Sequence, residues 1–441
     1  MACWRKSVHL SFVRHFSTEK RRVVVTGVGL VTCLGIGTET VWNRLLQGRC
    51  GIGKVKGEGY DKIPCQVAGH VPHGDAEDEF NWKRFIPKEH NRGMSLAAAY
   101  AVAAAEEALT TANWKPEDEA LRARTGVCIG TGIVSLETIV NAGEQLRSGH
   151  YRKVSPLFVP EILLNIPAGY VSLLYGFKGP NHAVSTACAT GLHAIGDASR
   201  FIRHGDADVV IAGGAEGAIG PLALAGFGRM RALSTAFNDS PEKASRPFDA
   251  ERDGFVMADG AGLMVLEELS HAQKRGAQIL GEVLGYGLSG EAYHITSPSP
   301  TGDAAQRCME AALRDAGVRP DDVGHINAHA TGTPIGDKAE SHAISTVFGN
   351  KVLVTSTKGA LGHLLGAAGS VEAIVTLKSC QTGKVPPTLN LEKPDTGCDL
   401  NYVAGAAQDW TTGSSARRIA LSNSFGFGGT NACVCFAQFT S

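Results

Sequence analysis

A cysteine among small residues is the first feature of this sequence that could do chemistry. Cys188 lies in the stretch VSTACATGLH, residues 184–193, which predicts the end of a buried strand followed by the first turn of a helix that ends near Gly205. Unpaired N–H groups and the helix dipole at such a turn favour an anion, so the pKa of the thiol can lie well below that of a free cysteine. The thiolate would then be a nucleophile, whereas an inert buried cysteine is the alternative.

Three further stretches place reactive or ligand-binding groups where a strand gives way to a loop. His329 follows a predicted strand at 325–328, and His363 comes five residues after Lys358, near a helix start. The stretch NSFGFGGTN, residues 423–431, is a glycine-rich turn whose N–H groups can approach a ligand closely. Each feature alone also fits a structural role, namely a hydrogen-bonding histidine or an ordinary turn.

Buried strands alternate with helices along the chain, and these elements must position the reactive groups. The alternation predicts an α/β fold of parallel sheets with helices on both faces. The predicted strand at 352–357 leads into a helix rich in small residues, as the stretch before Cys188 does, which suggests an internal duplication.

The pair Gly27-x-Gly29 after the first strand invites a dinucleotide-binding interpretation. Thr32 occupies the third glycine position, and no acidic residue ends a second strand about 20 residues further on. We therefore expect these glycines to form only a turn at the strand end.

Composition limits the class of protein. The 441 residues carry a formal net charge of −1, which gives no indication of nucleic-acid binding. No apolar run approaches the roughly 18 residues needed to span a bilayer, so no membrane span is expected. The 11 cysteines lack zinc-ligand spacing, and their irregular positions favour a reducing compartment over a disulfide framework.

The N-terminal segment differs in composition from the rest of the chain. Residues 1–21 are basic and hydroxyl-rich with a single acid, Glu19, and their apolar residues are spaced as on an amphipathic helix. This composition is typical of a mitochondrial transit peptide, so we expect a mitochondrial matrix protein. A plain basic tail and a plastid transit peptide are the alternatives.

Four motifs together resemble one enzyme family, the β-ketoacyl-acyl carrier protein synthases with a Cys-His-His active site. They occur in the order VSTACATG, NAHATGTP, KGALGHLLGAAGSVE and NSFGFGGTN, and the resemblance extends from about Arg22 to the C-terminus. It is strongest to the stand-alone type II enzymes that elongate acyl chains. Ala330, where relatives often carry glycine, is a minor departure.

The resemblance implies a fold and a set of roles. The fold would be the thiolase-like five-layer αβαβα sandwich, with an N-terminal half at 22–275 and a C-terminal half at 276–441. Six residues would form the catalytic set. Cys188 would accept the acyl group, His329 and His363 would be the paired histidines, Lys358 would pair with Glu372, and Phe427 would be the gating phenylalanine whose N–H joins that of Cys188 in an oxyanion hole.

Substrate and partner contacts are also implied. Ile133 resembles a residue that lines the fatty-acyl pocket, together with Phe427, although an ordinary core isoleucine is the alternative. Arg152 and Lys153 match a basic pair that meets the acidic acyl carrier protein, although solvated surface charges are the alternative. No metal or cofactor is implied, because the substrates are carried on the phosphopantetheine of acyl carrier protein, and the family is homodimeric.

The chemistry of these groups agrees with a decarboxylative condensation. A thiolate and two N–H donors suit acyl transfer, and two neutral imidazoles can stabilise an enolate formed from a malonyl thioester. A biosynthetic thiolase acting on acyl-CoA is the first alternative, and His363 argues against it. A non-catalytic partner of the chain-length-factor kind is the second, and the presence of Cys188 argues against it. A module of a multifunctional synthase is the third, although no carrier or acyltransferase stretch accompanies these motifs.

Overall fold

One continuous sheet of eleven strands, built from two halves with the same strand order, forms the centre of the molecule in residues 21–440. These are the residues that the computed structural model describes, so the predicted transit peptide lies outside them apart from Arg21. The strands are β1 (Val23–Thr32), β2 (Gly35–Ile36), β3 (Gly53–Lys54), β4 (Val67–Ala68), β5 (Thr125–Gly130), β6 (Asn181–His182), β7 (Val209–Glu216), β8 (Gly260–Glu268), β9 (Gly281–Gly290), β10 (His325–Asn327), β11 (Leu353–Thr355), β12 (Lys384–Val385), β13 (Gln408–Asp409), β14 (Ile419–Gly426) and β15 (Thr430–Ala437).

Helices cover both faces of this sheet. They are α1 (Thr38–Leu46), α2 (Trp82–Phe85), α3 (Leu96–Thr111), α4 (Glu119–Ala123), α5 (Leu136–Arg147), α6 (Phe158–Ile162), α7 (Ile166–Tyr175), α8 (Thr190–His204), α9 (Pro221–Arg229), α10 (Leu269–Lys274), α11 (Asp303–Ala316), α12 (Pro334–Phe348), α13 (Lys358–Leu361) and α14 (Ala368–Thr382). Within the described part of the chain, none of them combines the length and the hydropathy that a membrane crossing requires.

The two halves repeat the same topology, which confirms the predicted duplication. The order β6-β5-β7-β8-β1 in the first half matches β11-β10-β14-β15-β9 in the second, with the same strand directions, and β1 joins β9 at the centre. Helices α8 and α14 pack on each other between the halves, while α3 with α7 and α11 with α12 cover the outer faces. The result is five layers, α-β-α-β-α.

The prediction of wholly parallel sheets is wrong. β5 is parallel to β6 and β7, and β10 to β11 and β14, but the six central strands β7, β8, β1, β9, β15 and β14 pair antiparallel. The strands read as continuous apolar runs because helices bury both faces of the sheet. That coverage does not depend on strand direction.

The glycines of the first strand serve close helix packing instead of forming a turn. Gly27 and Gly29 lie inside β1, and a Cβ on Gly29 would come within 2.0 Å of the carbonyl oxygen of Ala104 on α3. The second half repeats this contact, since a Cβ on Gly287 of β9 would lie 2.2 Å from the Cys308 oxygen on α11. Glycine here lets a helix lie directly on a strand.

The strand expected before Cys188 is shorter than predicted. β6 is an exposed edge strand of two residues that ends at His182, and residues 183–186 form no regular structure. The N–H of Thr186 donates to the Thr190 hydroxyl at 2.8 Å instead of to a strand. This side-chain bond turns the chain into the segment that carries Cys188.

Candidate active site

Cys188 lies in a tight turn that both halves of the molecule hold in place. It is the middle residue of a 3₁₀ turn, Ala187–Ala189, directly before α8, and Ala187 adopts a φ of 50°, which is uncommon for alanine. The Cys188 carbonyl accepts from the Ser424 hydroxyl at 2.8 Å, and the Thr186 carbonyl accepts from the Thr430 hydroxyl at 3.1 Å. The second half therefore fixes the backbone of a residue that belongs to the first.

The resting thiol does not have the lowered pKa that its place at a helix start predicts. Burial raises the pKa of Cys188 to about 12, the charge of Lys358 lowers it, and the carboxylate of Glu216 raises it further. Loss of water around the sulfur outweighs the lysine charge and the backbone N–H groups of Phe427 and Cys188, all of which lower the pKa. The resting thiol is therefore protonated at neutral pH.

Two backbone N–H groups point at the sulfur. The N–H groups of Cys188 and Phe427 both favour its anionic form. Phe427 lies in the turn between β14 and β15, where Gly428 and Gly429 have φ values of 87° and 75° that suit glycine. Such a donor pair can hold the oxyanion of an acyl-transfer intermediate.

The two predicted histidines face each other. The ring centroids of His329 and His363 are 5.4 Å apart at an interplanar angle of 80°. His329 follows β10, where its N–H donates to Glu340 at 2.9 Å, and His363 follows α13, where its N–H donates to the Val256 carbonyl at 2.7 Å. The backbone of His329 is thus held within the second half, by α12, and that of His363 is held by the first half.

Both imidazoles are neutral. Burial and the charge of Lys358 hold the pKa of His329 and of His363 well below the usual value. Within residues 21–440, neither Nδ1 atom has a hydrogen-bond partner. Each neutral ring carries one N–H donor and one acceptor nitrogen, which suits it to stabilise a negative oxygen or to accept a proton.

Lys358 and Glu372 form a buried ion pair behind the histidines. Their side chains are 1% and 3% exposed, and Nζ of Lys358 donates to Oε1 of Glu372. Burial raises the pKa of Glu372 to about 7, while the lysine charge lowers it. The ion pair holds the ammonium group of Lys358 in place. Its positive charge lowers the pKa of both histidines and so favours their neutral form.

Removing one member of this pair should destabilise the protein strongly. Lys358→Met leaves the Glu372 carboxyl without its partner in a dry site, and we expect the free energy of unfolding to fall by about 3–5 kcal/mol. The double variant Lys358→Met with Glu372→Gln should recover part of that loss, as measured by urea denaturation. An equal loss in the single and double variants would contradict this account.

The thiol, the two histidines and Phe427 open onto one cavity of about 300 Å³. Cys188, His329, His363 and Phe427 line its inner end, and the partly apolar mouth includes Ile295 and Arg231. In the described part of the chain, no group of three or more His, Cys, Asp or Glu side chains is arranged to hold a metal ion. The groups beside the cavity that could react are the thiol of Cys188, the imidazoles of His329 and His363 and the backbone N–H groups of Cys188 and Phe427.

The remaining predicted residues lie apart from this cavity. Ile133 lines a separate cavity of about 10 Å³ beside α6 and α7, although it packs in the same apolar cluster as Cys188. Arg152 and Lys153 are exposed on a 3₁₀ turn after α5 and do not line the cavity. Their roles stay predictions.

Two buried carboxylates at the site were not among the residues predicted from sequence. Glu340 of α12 accepts the N–H groups of His329 and Ala330 at 2.9 and 2.7 Å and an amide N–H of Asn423 at 3.0 Å. Glu216 ends β7 and accepts three N–H groups from distant loops. Glu340 could have been found as an acid on the apolar face of a helix, among Ala339, Ala343 and Ile344.

Comparisons with known proteins show the family to which this chain is similar. Residues 20–272 match the family model "Beta-ketoacyl synthase, N-terminal domain", and residues 280–392 match "Beta-ketoacyl synthase, C-terminal domain". The "3-oxoacyl-[acyl-carrier-protein] synthase, mitochondrial" of Arabidopsis thaliana is 48% identical over 437 residues, which is 95% of this chain and 93% of the relative. The "3-oxoacyl-[acyl-carrier-protein] synthase 2" of Rhizobium meliloti (strain 1021) is 49% identical over 424 residues, 95% and 99% of the two chains.

A solved structure shows the same architecture. A chain of the complex AntDE:AntF, a type II PKS acyl-carrier protein with its ketosynthase bound to the hexaketide, is similar with a TM-score of 0.86 at 31% identity. The similarity covers 96% of this chain and 100% of that one. The fold is therefore the thiolase-like fold of the ketosynthases, and this chain belongs to the β-ketoacyl synthase family.

Proposed function

We propose that this protein is a 3-oxoacyl-acyl carrier protein synthase that elongates fatty acyl chains by decarboxylative Claisen condensation of malonyl-acyl carrier protein. One observation carries the proposal: a thiol, two converging N–H donors and two neutral imidazoles line a single cavity. The names of the relatives from Arabidopsis thaliana and Rhizobium meliloti support it.

The first half-reaction loads the enzyme. The sulfur of Cys188 attacks the carbonyl carbon of an acyl thioester, and the N–H groups of Cys188 and Phe427 hold the oxyanion. Because the pKa of the resting thiol is about 12, its proton leaves as the S–C bond forms and passes to a neutral imidazole. The old thioester bond breaks, and the carrier leaves as a thiol with that proton.

The second half-reaction makes the carbon nucleophile. The bond between the α-carbon and the carboxylate of the malonyl thioester breaks, CO₂ leaves, and the electron pair forms an enolate. His329 and His363 each donate one N–H to the enolate oxygen, which needs no proton transfer because both rings are neutral. The α-carbon attacks the carbonyl carbon of the Cys188 thioester, and the product is a 3-ketoacyl thioester. The sulfur leaves as a thiolate and takes up one proton from solvent, which restores the resting thiol.

Acyl carrier protein is the proposed partner. The relatives are named for it, and the AntDE:AntF structure holds a ketosynthase with its own carrier protein. The exposed Arg152 and Lys153 supply positive charge for an acidic partner. No cofactor beyond the phosphopantetheine of the carrier is proposed.

We also propose a homodimer in the mitochondrial matrix. Large apolar side chains are exposed on the segment from α5 to α7, which supports burial against a second copy, and they are Leu146, Tyr151, Val159, Leu163 and Leu173. The basic composition of residues 1–21 and the mitochondrial relative from Arabidopsis thaliana support the location.

A substrate assay tests the reaction. Incubation with malonyl-acyl carrier protein and acyl-carrier proteins from short to long should release CO₂ and give products two carbons longer with a 3-keto group, identified by mass. Condensation of two acetyl thioesters without CO₂ release would instead show a thiolase. A protein that decarboxylates but never extends an acyl chain would also contradict the proposal.

A further inference from the structure

Glu216 is a fully buried carboxylate that the condensation chemistry does not use. It ends β7 with 0% exposure. Its Oε2 accepts the N–H of Gly366 at 2.9 Å and of Gly132 at 3.1 Å, and its Oε1 accepts the N–H of Ile133 at 3.4 Å. One side chain therefore satisfies three backbone donors from two separate loops.

The two loops lie beside different cavities. Gly132 and Ile133 follow β5 and lead into the small cavity beside α6 and α7. Gly366 lies in the 3₁₀ turn Leu365–Ala367, three residues after His363. Glu216 is thus the direct link between the loop of Ile133 and the segment after a catalytic histidine.

The loops touch each other so closely that no side chain fits between them. A Cβ on Gly366 would lie 2.4 Å from the Gly132 nitrogen, and a Cβ on Gly132 would lie 2.7 Å from Oε2 of Glu216. Close-packed groups of this kind have one arrangement and do not deform gradually. A change at the carboxylate must therefore move both loops.

Burial makes the ionised form of the Glu216 carboxyl unfavourable. Burial raises the pKa of Glu216 to about 8, while the N–H groups of Gly366, Gly132 and Ile133 lower it. In its ionised form, Glu216 also opposes ionisation of the Cys188 thiol. Neither effect helps the thiol to react, so the benefit has to lie in the three backbone bonds.

We propose that Glu216 is a positioning residue that holds the loop of Ile133 and the segment after His363 in one fixed arrangement beside Cys188. It would thereby act on two properties at once, the choice of acyl chain and the rate of malonyl decarboxylation. This inference rests on the proposed condensing function.

Glu216→Gln is the first test, because glutamine has the same shape but only one acceptor oxygen. Its amide nitrogen must face at least one of the three N–H groups, so one loop shifts. We expect the ratio of kcat/KM for long against short acyl primers to change by at least about fivefold, a range that small changes in an apolar pocket produce. We expect unprimed malonyl decarboxylation to fall by about tenfold or more, since a displaced catalytic group loses rate steeply.

Glu107→Gln is the matched control. Glu107 is a largely buried carboxylate on α3 that accepts the N–H groups of Leu30 at 2.9 Å and Thr38 at 2.6 Å, away from the cavity. Its variant should lower the melting temperature without changing the primer ratio or the decarboxylation rate. If Glu216→Gln behaves like Glu107→Gln, or slows all primers by one common factor, the positioning role is wrong.

If Glu216→Gln does not fold, Gly366→Ala tests the proposed positioning role instead. Gly366 does not have a positive φ, and the nearest atoms to a Cβ at this position belong to Gly132 and the Glu216 carboxylate. We expect Gly366→Ala to change the ratio of kcat/KM for long against short primers and to slow unprimed malonyl decarboxylation. The absence of both changes would overturn the proposal. A wild-type protein that performs no condensation would instead refute the proposed function, independently of either variant.

Discussion

Cys188→Ala should abolish condensation while malonyl-acyl carrier protein is still slowly decarboxylated. The variant has no sulfur to form the acyl thioester, and we expect product formation to fall by at least about 10³-fold, as for other enzymes that lose a nucleophile. The imidazoles and the cavity remain, because the 3₁₀ turn is held through backbone oxygens that alanine retains. Mass spectrometry of products and CO₂ release measure the two activities separately.

A second cysteine provides the control for this experiment. Cys65 is buried, donates to the Val67 carbonyl at 3.5 Å and does not line the cavity. Cys65→Ala should condense at the wild-type rate after correction for folded protein. Condensation by Cys188→Ala at an undiminished rate would show that the acyl group is held elsewhere.

The reacting groups were predictable because each lies in a short local pattern at the end of a strand. A thiol before small helical residues, a histidine after a buried strand and a glycine turn are all visible within about ten residues. The resemblance of four such patterns to one family then indicated how distant segments combine. The five-layer duplicated fold was expected from the same resemblance, and the repeated strand order confirms it.

The features that could not be predicted depend on contacts between distant residues. Glu216 bonds to N–H groups that lie 84 and 150 residues away, and nothing near it in the sequence indicates either loop. The pKa of Cys188 was predicted in the wrong direction, because the local helix start is visible in the sequence and the burial is not. Whether neighbouring strands run parallel or antiparallel could not be predicted for a similar reason. A strand that is buried on both faces has the same apolar pattern in both kinds of pairing.

The duplication explains why the site lies between the halves. Cys188 precedes α8, and Lys358 and His363 precede α14, so the two segments occupy equivalent places in the two halves. Because α8 and α14 pack on each other in the middle layer, the segments at their starts are brought to one cavity. In the proposed mechanism, one copy supplies the nucleophile and the other supplies the groups for decarboxylation.

His363→Ala should separate the two half-reactions. We expect decarboxylation to fall by about 10²–10³-fold, the usual cost of removing one donor to a developing oxyanion. Acylation of Cys188 should fall far less, because the N–H groups of Cys188 and Phe427 remain to hold its oxyanion. Radiolabelled acyl-carrier protein measures the acylation, and CO₂ release from malonyl-acyl carrier protein measures the decarboxylation.

A conservative variant distinguishes donation from simple space filling at this position. Asparagine carries an amide N–H donor but cannot accept a proton as imidazole does, so His363→Asn should recover part of the decarboxylation lost in His363→Ala. Because burial and Lys358 hold the pKa of His363 well below the usual value, the wild-type rate should show no inflection near pH 6.5. If acylation collapses while decarboxylation survives, His363 acts on the thiol and not on the enolate, and its proposed role in decarboxylation is wrong.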